Sequence, residues 1–163
     1  MNSVTEPTGA DRREGLLIDS NLLLLLFVGL YDRNRIARFK RTAQFTIDDF
    51  ELLVSFVKRF KKVVTTPSIL TEVSNLLGQL PDELKSSFYG YFAEAIRVLR
   101  EQYTPSHALS NEKAFPKFGL TDTAILRAAT GNYLVLTDDF RLAQYLLSQD
   151  VDVINFNHLR TFD

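Results

Sequence analysis

The chain has 163 residues, 45% of them hydrophobic and 13 of them Phe, which is enough for one domain to bury a core without staples. It holds no Cys and two His, which excludes disulfides and thiolate metal sites and leaves oxygen ligands, His107 and His158 for any metal. A net charge of −1 gives no global attraction to nucleic acid or membrane, so a polyanion would have to meet a local patch.

Residues 1–14, with Pro7, Gly9, mixed charges and a single Val, cannot bury enough surface to order themselves and read as a flexible tail ahead of one domain over 15–163. The most apolar stretch follows, from Leu16 to Leu30, and it is interrupted by Asp19, Ser20 and Asn21. Residues 16–19 read as a short strand, apolar throughout as a strand covered on both faces should be. Residues 20–31 read as the first helix. The unbroken apolar part, 22–30, is nine residues, about half of what spans a bilayer. No small-residue cleavage site follows Leu30, so the chain reads as soluble, unexported and cytoplasmic, with no membrane partner.

Asp19 is the oddity of this stretch, because burying an unpaired carboxylate is costly. Either Asp19 or Ser20 caps the helix that follows, or Asp19 stands at the carboxyl end of a central strand and holds a cation.

A basic segment comes next, with Arg33, Arg35, Arg38, Lys40 and Arg41. Thr46 and Asp49 have capping-box spacing, and apolar residues recur at helical spacing from Ile47 to Phe60. Residues 63–66 are a β-branched second strand; Thr66 caps the next helix and Pro67 takes its first turn. In that helix Ile69, Val73, Leu76, Leu77 and Leu80 form the buried stripe, and Glu72 lies beside it rather than on the far face. Pro81 and Asp82 open a fourth helix whose aromatic cluster, Phe88, Tyr89, Tyr91 and Phe92, reads as core, with contact to a partner or to a second copy of the chain as the alternative.

A third strand is expected within 103–109, at an edge because Pro105 is tolerated only there. Gly119-Leu120-Thr121 leads into a helix carrying Asp122 and stopped by Gly131. Residues 133–136 form a fourth strand, Thr137-Asp138-Asp139 turns it into a helix bearing Leu142, Tyr145, Leu146 and Leu147, and 151–155 form the last strand. Strands alternating with helices imply an α/β fold with a parallel sheet wrapped by helices.

Right-handed connections put every strand-to-helix turn of such a sheet on one edge. Asp19, Asp138 and Asp139 end strands, Asp122 lies in the first turn of its helix, and Glu72 sits about 9 Å along its own. Each could be a cap or a rim carboxylate alone. Carboxylates converging on one crevice raise one another's pKa and remain ionised comfortably only beside a cation. Oxygen donors without Cys point to Mg²⁺ or Mn²⁺. One or two such ions can activate water against a phosphodiester, the chemistry of a nuclease.

The series Leu17-Ile18-Asp19-Ser20-Asn21, Pro67 to Val73, Gly119 to Leu126 and Val135 to Leu142 resembles the PIN domain family from Leu16 to about Asn157. The resemblance implies a three-layer α/β/α fold with a five-stranded parallel sheet in the order 3-2-1-4-5, and a Mg²⁺- or Mn²⁺-dependent endoribonuclease acting on single-stranded RNA. Asp19, Glu72 and Asp122 match its three principal acids, Asp139 the fourth with Asp138 beside it as a further ligand, and Asn21 and Thr137 its auxiliary polar positions. Small bacterial PIN proteins include the VapC-like toxins of toxin–antitoxin pairs, which implies an antitoxin partner; the aromatic fourth helix and the basic segment depart from their length. A PIN-shaped interaction module without catalysis is the alternative. A phosphatase or nucleotide-binding enzyme lacks its phosphoacceptor set or Gly-rich loop here.

The basic clusters at 33–41 and 58–62 follow helices one and two, so they belong at the edge opposite the carboxylates. Lys117, Arg127 and Arg141 are the better placed residues to hold a phosphate near the acids. His107 and His158 lie outside these motifs and read as structural or exposed.

Overall fold

A computed structural model of the protein describes residues 15–160; the expected tail, 1–14, lies outside the described residues. Leu16, Leu17 and Ile18 present apolar side chains to both faces, and β1 (Leu16–Ile18) is accordingly fully buried. Helix α1 (Ser20–Tyr31) is apolar nearly all round, as a helix enclosed by others should be, and Leu22 to Leu25 have no exposed surface. Helix α2 (Ile47–Val57) starts in the full capping box of Thr46 and Asp49. It packs close on α1 because Gly29 has no side chain: a Cβ there would land on the Phe50 ring.

Strand β2 (Val63–Thr65) passes through the Thr66 cap into α3 (Pro67–Leu77), and α4 (Asp82–Ile96) follows. Phe88 and Phe92 are buried on α4, Phe92 edge-on to Phe27 at 5.5 Å, whereas Tyr89 is exposed and Tyr91 half-buried. Half of the aromatic cluster is therefore core. The third strand, β3 (Arg100–Glu101), lies earlier than the expected 103–109, and Ser106–Leu109 is helix α5. Both β3 residues are exposed and are held by backbone pairing, Val64 with Arg100 and Thr65 with Glu101, so no apolar alternation marks them. Pro105 opens α5, its carbonyl accepting from Ala108 and Leu109, rather than bordering a strand.

Helix α6 (Phe115–Ala129) is bent at Gly119, whose φ of 79° is open to glycine and strained for other residues. β4 (Leu134–Thr137), α7 (Phe140–Ser148), β5 (Val153–Asn155) and α8 (Phe156–Arg160), a helix the sequence pattern did not indicate, complete the fold. The five strands are all parallel in the order β3-β2-β1-β4-β5, and helices flank the sheet in a three-layer α/β/α arrangement.

The order has a direct consequence for ligand binding. The chain leaves β1 towards β2 and leaves β4 towards β5, so the direction of winding reverses between β1 and β4. A crevice opens at the carboxyl ends of such a strand pair. Asp19 follows β1 and Asp138 follows β4, and the Asp19 N–H donates to the Leu136 carbonyl at 3.0 Å, so both turns stand at that crevice. Of the basic residues that follow α1, Arg33 pairs with Glu51 of α2 at 2.9 Å. Among the described residues no helix is long and apolar enough to cross a membrane.

Candidate functional site

Asp19 is the N-cap of α1, its Oδ1 accepting from the Ser20 N–H at 2.7 Å. Its other oxygen, Oδ2, accepts from the Thr137 hydroxyl at 2.6 Å. The cap and the cross-strand bond coexist, and Thr137, buried at the end of β4, ties the central pair of turns together. Thr137 Oγ1 in turn accepts from the Asp139 N–H at 3.0 Å. Burial is the largest influence on Asp19 and pushes its pKa from 3.8 to about 6, against the Thr137 and Ser20 hydrogen bonds, with the charges of Asp138 and Glu72 adding to the rise.

Glu72 reaches the same place from α3. Its Oε2 accepts from the Ser20 hydroxyl and its Oε1 from the Thr121 hydroxyl, both at 2.7 Å, so one carboxylate bridges α1 and α6. Asp122, one residue after Thr121, is half-buried. Burial first, then the charges of Asp19, Asp139 and Glu72, raise its pKa to about 7, with Arg141 acting in the opposite sense. The charges of Asp19, Asp139 and Glu72 thus all bear on Asp122.

The Asp138-Asp139 pair divides its work. Asp139 caps α7 through Leu142 N–H at 3.1 Å and acts on Asp122. Asp138 acts on Asp19, its own pKa raised by burial against bonds from its own backbone and the Asn21 side chain. Asn21 thus serves Asp138.

Lys117 and Arg141 are brought together, the Arg141 guanidinium donating to the Lys117 carbonyl at 3.4 Å, and Arg141 is near enough to Asp122 to lower its proton affinity. Arg127 is not brought to the acids. It is five residues beyond Asp122, roughly 140° around the helix, and forms an ion pair with Glu112 at 2.6 Å. His107 and His158 stand on the exposed surface of α5 and α8. Ser20 and Thr121, the hydroxyls that hold Glu72, were not singled out as site residues by sequence reasoning. The available signal was position: Ser20 follows Asp19 at the head of a buried helix and Thr121 precedes Asp122, so each hydroxyl shares its neighbour's edge.

The cluster is gathered but not closed. Among the described residues no three His, Cys, Asp or Glu side chains stand close enough together to hold an ion as they are. Glu72 is engaged by two hydroxyls, and Asp139 by its helix N-terminus. In donor chemistry the set nonetheless fits a hard dication: all donors are oxygen, and Asp19 and Asp122 are held above the usual carboxylate range by burial first and then by the charges of neighbouring acids. No protein-family model matches the chain, and no curated protein matches it.

Proposed function

We propose that the protein is a PIN-like endoribonuclease that hydrolyses phosphodiester bonds of single-stranded RNA in the cytoplasm with Mg²⁺ or Mn²⁺. The observation that carries this reading is that the charges of Asp19, Glu72 and Asp139 all act on Asp122, four acids from four separate segments beside the reversal point of a parallel sheet. Isolated helix caps have no reason to converge in this way.

Asp19 and Asp122, with Glu72, Asp139 and Asp138 around them, would hold the cation. When bound, a dication supplies Lewis-acid activation of water and neutralises charge at the phosphodiester. Everything else falls to the chain's own groups. Thr137 fixes the orientation of Asp19 through Oδ2, and Ser20 and Thr121 fix that of Glu72. Without a cation Asp122, raised to about 7 by burial and its acidic neighbours, keeps a proton near neutral pH, which it gives up to act as a ligand. Lys117 and Arg141, beside the acids, would hold a phosphate of the substrate. A toxin role with an antitoxin partner belongs to the same reading as its cellular setting.

The engagement of Glu72 by two hydroxyls favours a second reading, an interaction module on the same fold without catalysis. Cleavage of a labelled single-stranded RNA with and without Mn²⁺, by the wild type and by Asp19→Asn matched for folding, separates the two. The nuclease predicts Mn²⁺-dependent cleavage lost by the variant, several kcal/mol in transition-state stabilisation being about the scale of metal-ion catalysis; equal activity in both proteins sinks it.

A further inference from the structure

Next to the acids lies a surface that neither the sheet nor the carboxylates account for. Gly119, at φ 79°, bends α6 so that its first turn, with Lys117 and Phe118, packs against α7. The Phe118 ring meets Tyr145 at 4.5 Å between centroids, and the Arg141 guanidinium lies over the same ring at 4.9 Å, with the Lys117 ammonium at 5.5 Å. Phe140, the residue after Asp139, stands 63% exposed beside them. These residues line an open trough of about 370 Å³. Neither Lys117 nor Arg141 is in an ion pair among the described residues.

An exposed Phe costs solvation free energy, and Lys117 and Arg141 lie over the Phe118 ring outside any ion pair, Arg141 within reach of the Asp122 charge. Rings and cations interleaved along a groove are what a single nucleic-acid strand meets: bases stack on the rings and phosphates lie against the cations. A protein helix would ask instead for an aliphatic groove without two cations outside any ion pair. The trough is lined by Phe140, the residue after Asp139, and by Arg141, whose charge acts on Asp122, so it lies next to the acids.

We propose that Phe118, Phe140 and Tyr145, with Lys117 and Arg141, form a base-stacking platform that seats single-stranded RNA beside the carboxylate cluster. This rests on the ribonuclease reading and names how its substrate is held: by aromatic faces that accept any base, giving little sequence preference from this contact.

The test is fluorescence anisotropy of a labelled 12-nucleotide oligoadenylate in EDTA, so that binding is read without cleavage. Phe140→Ala should weaken binding on the order of 5- to 100-fold, the range set by stacking of one base, and Phe140→Tyr should retain it. Arg141→Ala should weaken binding and lower the slope of log affinity against log salt by about 0.7. Asp19→Asn should bind no more weakly than wild type. Circular dichroism confirms folding; Phe140, being mostly exposed, should leave it intact. Wild-type affinity in Phe140→Ala, equal affinity for a blunt RNA duplex, or loss of a two-chain complex on Phe140→Ala in sedimentation would each overturn the platform, the last by assigning the surface to self-association. The two readings fail separately. Phe140-dependent binding without Mn²⁺-dependent cleavage keeps the platform and removes the nuclease, whereas cleavage with a KM indifferent to Phe140 does the reverse.

Discussion

Replacing Asp19 by Asn removes a charge that the fold holds against its solvation preference, and the size of the effect follows from the pKa. Asp19 titrates near 6 in the folded protein against 3.8 for an ordinary Asp. At roughly 1.36 kcal/mol per pH unit that gap corresponds to about 3 kcal/mol. Because the folded pKa is raised, the stabilising contribution is full below 3.8 and is lost as pH rises through about 6. The Asn side chain does not titrate, so the variant lacks this loss. Any hydrogen bond weakened by the amide, to Ser20 N–H or the Thr137 hydroxyl, shifts stability equally at both pH values and leaves the pH dependence as the signature. Between pH 4.5 and pH 8 the variant should gain about 2 kcal/mol on the wild type, or about 4–8 °C in Tm for a chain of this size. The gain should be enlarged by Asp122, whose own proton affinity falls once the Asp19 charge is gone. Thermal unfolding followed by circular dichroism in EDTA at the two pH values measures it. A Tm difference that is the same at pH 4.5 and pH 8 would refute the claim that the Asp19 charge is held at a cost.

Thr137→Val removes the hydroxyl that donates to Asp19 and accepts from Asp139 N–H; stability in urea should fall by about 1–3 kcal/mol, and Asp19, without the bond that lowers its pKa, should titrate higher still by NMR. Gly29→Ala places a methyl group on the Phe50 ring between α1 and α2, and urea denaturation should show a loss of about 1–3 kcal/mol; an unchanged midpoint would mean that the two helices separate freely.

Elements whose signal is chemical and local were legible from the residues alone. The capping box of Thr46 and Asp49, the Thr66-Pro67 start of α3 and the apolar run of β1 are each set by backbone groups or burial within a few residues, and the structure has them where their sequences imply. The strand order also matches the expectation from the resemblance. β3 was displaced because Arg100 and Glu101 are exposed and are selected only by an edge of β2 distant in sequence. At the site, the acids were legible as residue types at one edge, since right-handed crossovers leave no other place for them. What each acid touches was not. The bridge from Glu72 to Ser20 and Thr121 joins residues 52 and 49 apart in the chain. Arg127 was misplaced for a related reason: proximity in sequence to Asp122 does not survive a turn of roughly 140° around a helix. Phe118, half-buried beside the Gly119 bend, and Phe140, exposed at the start of α7, gave no periodic signal because neither belongs to a buried stripe.

In the proposed nuclease these acids together hold a divalent cation. Isothermal titration of the wild type with Mn²⁺ at pH 6.5, in two buffers of different protonation enthalpy, tests it without any substrate. Binding should be saturable and should release protons, since Asp122, with a pKa of about 7, is largely protonated at that pH and must ionise to ligate; Asp19→Asn should abolish it. Absence of Mn²⁺ binding by the wild type, or binding unaltered in Asp19→Asn, would contradict the account.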